Sequence, residues 1–239
     1  MIWRHYPALT VVREIGTVDV VQDFRASAEF GASRRYLNLP YFSDLARFKN
    51  GHSPSFSGDV RFLFSGSLSQ RKGIDLLSRA FATLAPEYPR SRLMIMGTGR
   101  LEAKSRATLA SCATQVDWIG FKDWGELPAV YASANVLCAP SRHDGWGLVV
   151  AEGLAAGLPV IATNRTGAAL DLIEPGVNGW RVPADNEQAL LEGMRVAASL
   201  RPDEWLEMSR QARASVTEHS LANGARRFLA AVDDAGRAS

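Results

Sequence analysis

From Val60 onward the chain alternates short apolar runs with stretches of helical periodicity. Residues 60–64, 93–96, 116–119, 136–139 and 160–162 are runs of this kind, and they predict buried strands. Between them Ile74, Leu77, Phe81 and Leu84 recur at helical spacing, as do Leu190, Met194 and Ala197. Each set gives a helix one apolar face. Strands that read as continuous apolar runs, separated by amphipathic helices, predict a parallel sheet covered on both sides. The expected fold class is therefore α/β, a Rossmann-like doubly wound parallel sheet with strand order 3-2-1-4-5-6. Turn residues fall where the strands end: Gly66, Gly97-Thr98-Gly99, Gly120 and Pro140-Ser141. These ends form one rim, the side on which open α/β sheets bind ligands.

The stretch before Val60 has a different pattern. Residues 18–21 and 36–39 predict strands, and residues 49–58 (KNGHSPSFSG) have the composition of a linker. After Pro202, the residues Trp205, Met208 and Ala212 begin another helix, and residues 221–232 predict a last one. The chain divides into a short N-terminal remnant with linker (1–50), a sheet domain (51–220) and a closing helix (221–239). No internal repeat or low-complexity tract is present.

Composition narrows the function. The 239 residues are 46% hydrophobic, enough for a full α/β core. With 27 basic against 25 acidic residues and no basic run, nucleic acid is not an expected partner. Cys112 and Cys138 form no C-x-x-C pair, and two buried free thiols fit a reducing cytoplasm. No stretch approaches the roughly 18 apolar residues of a membrane span, and Met1 to Tyr6 lack the order of a signal peptide. A surface attachment to the inner face of a membrane remains open.

The candidate chemistry lies in residues 144–161. A turn bearing Gly145 and Gly147 opens a helix, which passes through Gly157-Leu158-Pro159 into an apolar strand. Asp144 and Glu152 stand eight residues apart, slightly over two turns if both are helical, so two carboxylates face one cleft. The glycines leave backbone N–H groups and the positive end of the helix dipole open to an anion or a hydroxylated ligand. A sugar carried on a diphosphate needs both kinds of partner. Asp144 equally suits a helix cap. An unpaired carboxylate at Glu152, on an otherwise apolar helix, would be costly to bury, and a ligand would be its natural partner.

This pattern resembles glycosyltransferase family 4, retaining enzymes of the two-Rossmann B-type fold, and in particular their C-terminal donor-binding half. Residues 144–161 are similar to the family's acidic pair, Gly-rich turn and following Gly-x-Pro-Val-Ile; the first acid is usually Glu and here is Asp144, while Glu152 matches. Residues 64–73 (FSGSLSQRKG) look like its phosphate loop, with Lys72 and Gly73 matching and Ser67 standing where the family has Arg. Met96 to Gly99, Ile119-Gly120-Phe121, the run from Glu126-Leu127 to Pro140-Ser141, Gly167 with Asp171, and Gly176-x-x-Gly179 also match. The similarity covers about residues 36–235. Single glycine motifs are weak, but five in order at strand ends are not chance.

The resemblance implies a hexosyltransferase that moves sugar from a nucleoside diphosphate donor to a glycan or lipid-linked acceptor. Its implied catalytic residues are Asp144, Glu152 and Lys72, with Glu152 on the ribose hydroxyls, Asp144 and the Gly145–Gly147 amides on the transferred sugar, and Lys72 on the diphosphate. The implied donor contacts are Gly66, Ser67, Arg71, Lys72, Phe121, Asp144, Gly145, Trp146, Gly147, Leu148, Val149 and Glu152. No metal and no cofactor beyond the donor itself is expected. Arg71 is expected to compensate in part for the Arg missing at Ser67. Lys72 beside Arg71 also reads as a solvated loop pair. His143 without a partner carboxylate is incidental. Trp146 suits either a sugar face or space over the sheet, and Phe121 suits the nucleobase. Trp118, Trp124 and Trp180 read as packing.

Two Rossmann domains of about 100–150 residues each exceed this chain, so the N-terminal, acceptor-binding half is expected to be missing or supplied by a partner. A non-enzymatic nucleotide-sugar-binding module is the alternative function. An epimerase would want Gly-x-Gly-x-x-Gly and Tyr-x-x-x-Lys, and neither occurs.

Overall fold

The computed structural model describes residues 9–10, 35–36, 41–49 and 55–237. Near the N-terminus β1 (Leu9–Thr10) and β2 (Arg35–Tyr36) pair in parallel. The strand expected at 18–21, and all of that expected at 36–39 except Tyr36, lie outside the described residues. A short helix α1 (Ala46–Lys49) follows.

The main sheet contains β3 (Arg61–Ser65), β4 (Arg92–Met96), β5 (Val116–Gly120), β6 (Val136–Ala139), β7 (Val160–Thr163) and β8 (Gly179–Val182). Their spatial order is β5-β4-β3-β6-β7-β8 with every pairing parallel. Counted within this sheet, that is the expected order 3-2-1-4-5-6. Only β8 lacked a predicted run. It is an edge strand with just Gly179 and Val182 buried, so it carries no continuous apolar stretch.

Helices lie on both faces. Along β3, Phe62 and Phe64 point to one side and Leu63 to the other. The first side packs under α2 (Ile74–Leu84) and α7 (Glu187–Ala198), through Ile74, Leu77, Phe81, Leu190 and Met194. The other packs against α4 (Leu127–Ala132), α5 (Leu148–Ala156) and α8 (Pro202–Ser215). α3 (Glu102–Thr108) leads through a short 3-10 turn to β5, and α6 (Gly167–Leu172) follows β7. Cys112 and Cys138 are buried free thiols.

The boundary regions are closely joined to this body. Leu45 and Phe48 are each only 3% exposed, and the Phe48 ring lies 5.0 Å from that of Tyr131 on α4. The α1 turn, on the N-terminal side of residue 50, thus packs with the sheet domain. The closing helix α9 (Leu221–Arg237) buries Ala231 and sets Arg227 over the Phe42 ring, while Leu221, Phe228, Leu229 and Val232 stay exposed. Among the described residues no helix is long and apolar enough to cross a membrane.

Candidate functional site

The loops that leave β3, β4 and β5 are knitted into one rim. Gly66 N–H donates to the Met96 carbonyl at 3.0 Å, Leu68 N–H to Thr98 at 2.9 Å, and Gly97 N–H to Gly120 at 2.7 Å. Between these loops lies a cleft of about 330 Å³, lined by Ser65, Gly66, Ser67, Thr98, Phe121 and Lys122 among others. Phe121, expected at the nucleobase, lines it with 72% of its surface exposed.

Lys72 ends the first of these loops. Gly73 then turns the chain into α2 at φ 73, a conformation that favours glycine. A Cβ there would also stand 1.9 Å from the Pro140 carbonyl oxygen, so the β6 loop fixes this turn. The Lys72 ammonium pairs with Asp144 Oδ2, and the two side chains are only 17% and 14% exposed. Asp144 is held by its backbone: its N–H donates to the Arg165 carbonyl at 2.9 Å, and its carbonyl accepts from Gly167 N–H at 3.1 Å.

The helix begins later than the sequence pattern suggested. Gly147, at φ 82, is the residue before α5, and no side chain caps that end. Asp144 is therefore neither a helix residue nor a helix cap. The 144–147 turn, rather than eight residues of helical spacing, sets the place of Asp144 relative to Glu152. Gly145 sits in that turn, and Leu148, 43% exposed, and the half-buried Val149 form the first turn of α5. Their amides have no intrahelical partner.

Glu152 lies one helical turn further in and is 7% exposed. It is not unpaired: the Tyr131 hydroxyl donates to its Oε2 at 2.9 Å. Burial pushes its carboxyl above the ordinary range, while the Tyr131 bond and the positive charges of Arg47 and Lys72 pull the other way. One lysine thus pairs with Asp144 and acts electrostatically on Glu152, and Lys72, Asp144 and Glu152 form one cluster.

The structure bears on three assignments made from sequence. Trp146 does not offer its ring to a sugar: it is 4% exposed and stacks on His219 at 6.2 Å, filling space under the turn. Arg71, expected to compensate in part for the Arg missing at Ser67, is exposed and donates to the His143 carbonyl at 3.3 Å, while Ser67 hydrogen-bonds Ser69 at 3.1 Å. Trp124 is not simply packing, since it is 60% exposed and carries the Arg47 guanidinium 3.1 Å over its ring.

Two residues of the cluster escaped sequence reasoning. Tyr131 sits in the apolar helix LPAVYA, where a tyrosine reads as core. Its polar tip, which needs a partner once buried, was the available signal. Arg47 lies in a four-residue helix next to the linker, and nothing in its neighbourhood marks it. Among the described residues no group of His, Cys, Asp and Glu could hold a metal ion.

Comparison with known proteins identifies the family and the fold. The family described as "Glycosyl transferases group 1" matches residues 47–215. An uncharacterised glycosyltransferase of Haemophilus influenzae is 29% identical over 65% of this chain and 44% of its own length. The putative colanic acid biosynthesis glycosyltransferase WcaL of Escherichia coli is 26% identical over 74% and 45%. The chain spans less than half the length of these relatives. Among solved structures, a Rickettsia africae glycosyltransferase superposes with TM-score 0.80 at 18% identity, over 98% of this chain and 65% of that one. Staphylococcus aureus TarM, in a complex with Fondaparinux, alpha-GlcNAc-glycerol and UDP, gives 0.77 at 16%, over 91% and 43%. Both likenesses show the same fold, and with the family match over most of its length the chain belongs to the group 1 glycosyl transferases.

Proposed function

We propose that this domain is the donor-binding half of a retaining, family 4 glycosyltransferase that moves a hexose from a nucleoside diphosphate sugar to a hydroxyl of a growing or lipid-linked glycan. The observation that carries this assignment is the convergence of Lys72, Asp144 and Glu152 at the carboxyl rim of the sheet, beside the 330 Å³ cleft. A carboxylate is a two-oxygen acceptor suited to the vicinal hydroxyls of ribose, which is the role of Glu152. Exposed Phe121 lies against the base. The diphosphate takes the Lys72 ammonium from Asp144, which frees the carboxylate to hold hydroxyls of the transferred sugar.

In the transfer the bond from the anomeric carbon to the diphosphate oxygen breaks, and the acceptor oxygen bonds to the same face of that carbon. The acceptor proton passes to the departing diphosphate. Lys72 and the free amides that open α5 stabilise the charge growing there, usually the largest single contribution to such catalysis. A second Rossmann domain, or a partner supplying it, orients the acceptor, and the site works on the cytoplasmic side of the membrane. Among the structural neighbours, Anabaena Alr3699/HepE is described in complex with UDP and with UDP and glucose, which supports a ligand of this class.

Calorimetric titration with UDP, GDP and ADP tests the donor site. At least one should bind, and Glu152→Gln should weaken it by about tenfold or more, the value of a charged hydrogen bond. No binding of any of the three removes the proposal. In the form carrying the acceptor domain, proton NMR of the product should show the anomeric configuration of the donor.

A further inference from the structure

We propose that Tyr131 is a positioning residue for nucleotide recognition: its hydroxyl fixes the Glu152 carboxylate so that one oxygen remains aimed at the ribose. This rests on the assignment of Glu152 to the ribose made above. Tyr131 is wholly buried and is the largest fully buried side chain described. Its ring is held against Phe48 at 5.0 Å, so the phenol has a fixed place. The phenol donates to Glu152 Oε2 at 2.9 Å, and the nearby Ser65 hydroxyl favours the phenol's ionised form against burial. Ser65 is the last residue of β3 and lines the cleft. The Tyr131–Glu152 hydrogen bond thus joins α4 to α5.

A glutamate has three rotatable bonds, and on a helix it does not orient itself. With Oε2 occupied, the carboxylate plane is set, and Oε1 makes no hydrogen bond among the described residues. Oε1 is thus an acceptor of fixed direction, which binds without the entropy cost of ordering a free side chain. The same bond favours the charged form of Glu152 against burial, together with Lys72 from the loop before α2 and Arg47 from α1, the other charged groups that act on it. Neutral Glu152 would spend a lone pair less readily on ribose hydroxyls. A tyrosine that only filled space would have no such consequences.

The experiment uses whichever of UDP, GDP and ADP binds the protein most tightly, and its 2′,3′-dideoxy analogue. The ratio of the two affinities measures ribose recognition. Tyr131→Phe keeps the ring and its contacts and should lower that ratio by about fivefold, within the range of a hydrogen bond to a charged group. Affinity for the dideoxy analogue should stay at the wild-type value, which also shows that the variant folds. The acid limb of ribonucleotide binding should move to higher pH, because Glu152 loses a bond that favours its charged form. Tyr131→Met, which also removes the hydroxyl and keeps an apolar side chain, should lower the ratio in the same direction, and it carries the test should Tyr131→Phe not fold. An unchanged ratio in Tyr131→Phe, or in Tyr131→Met where that variant carries the test, overturns the proposal, provided Glu152→Gln has lost it. If Glu152→Gln also keeps the ratio, the ribose assignment itself fails.

Discussion

The two ends of the main sheet both carry charged groups beside a cleft, but they treat charge differently. At the amino end a cleft of about 180 Å³ is lined by Asp59, Glu87, Tyr88 and Arg90. There Arg195 donates to both oxygens of Glu87 at 2.7 and 2.8 Å, Arg90 pairs with Asp59 at 3.0 Å, and Tyr88 hydrogen-bonds Ser199 at 2.9 Å. These groups have partners and are largely open to water. At the carboxyl end Lys72, Asp144 and Glu152 are mostly buried, Glu152 resists ionisation, and Arg47, though stacked on Trp124, keeps Nε and Nη2 buried without hydrogen-bond partners. Charge withdrawn from water with incomplete compensation is costly by itself, and it gains most from a ligand with the complementary groups. The sheet is symmetric enough to offer two clefts, and the electrostatics choose between them.

The largest effect should come from the backbone of the carboxyl rim. Gly73→Ala would place a methyl 1.9 Å from the Pro140 oxygen at φ 73, and should cost about 3 kcal/mol or more in urea unfolding. Gly58, at the amino end, also has positive φ, at 100, but a Cβ there meets nothing within 4 Å. Gly58→Ala should therefore cost only the backbone strain, about 1–2 kcal/mol. Equal losses would show that the close approach of the Lys72 loop to the β6 loop is not what holds the rim.

Next comes Glu152→Gln, whose effects on binding and stability should have opposite signs. Burial raises the Glu152 pKa, so the folded chain holds this proton more tightly than the unfolded chain. Folding stability then falls as pH rises above the unfolded glutamate value, and the deficit is complete above the folded value. Glutamine carries no such deficit. At neutral pH the variant should melt higher than wild type while binding nucleotide about tenfold or more weakly. A lower melting temperature would mean that the carboxylate is compensated as fully as the charges at the other end.

Asp144→Asn should have a smaller and more selective effect, because Lys72 already occupies the carboxylate in the free protein. It should weaken the nucleotide sugar by about fivefold and the free nucleoside diphosphate less, since only the former presents sugar hydroxyls to this side chain. Calorimetry with both ligands reads the difference. Equal losses would assign Asp144 to holding Lys72 alone.

Legibility in the sequence followed the same division. The helix α2 and strands β3 to β7 were readable because each buries a set of apolar residues at a regular period, and the rim glycines marked the strand ends. Edge strand β8 was not, because half of it faces solvent and its pattern is broken. Within the candidate site, Asp144 and Glu152 were readable as carboxylates at a glycine turn and on an apolar helix, whereas Lys72 was singled out only by the family resemblance. Tyr131 and Arg47 were not, for opposite reasons: one is a polar atom on a core side chain, the other an ordinary surface-type residue that tertiary packing tucks over Trp124. The directions of Trp146 and Arg71 depend on His219 and His143, contacts that local spacing does not encode.

The smallest effect should be at the amino end, and it tests the contrast most directly. Arg195 holds the exposed Glu87 carboxyl below its usual range, the reverse of Glu152. Its contribution to stability is present above the unfolded glutamate value and is lost as pH falls through the folded one. Solvent screens an exposed pair, so Glu87→Gln should shift the melting temperature slightly and less in high salt. Nucleotide affinity should not change. Measured across mildly acidic to neutral pH, the stability difference between wild type and Glu87→Gln should favour wild type as pH rises, while that for Glu152→Gln should favour the variant. Two curves of the same sign, or a loss of nucleotide binding in Glu87→Gln, would show that the two clefts are electrostatically alike and that the carboxyl rim is not distinguished by its buried charge.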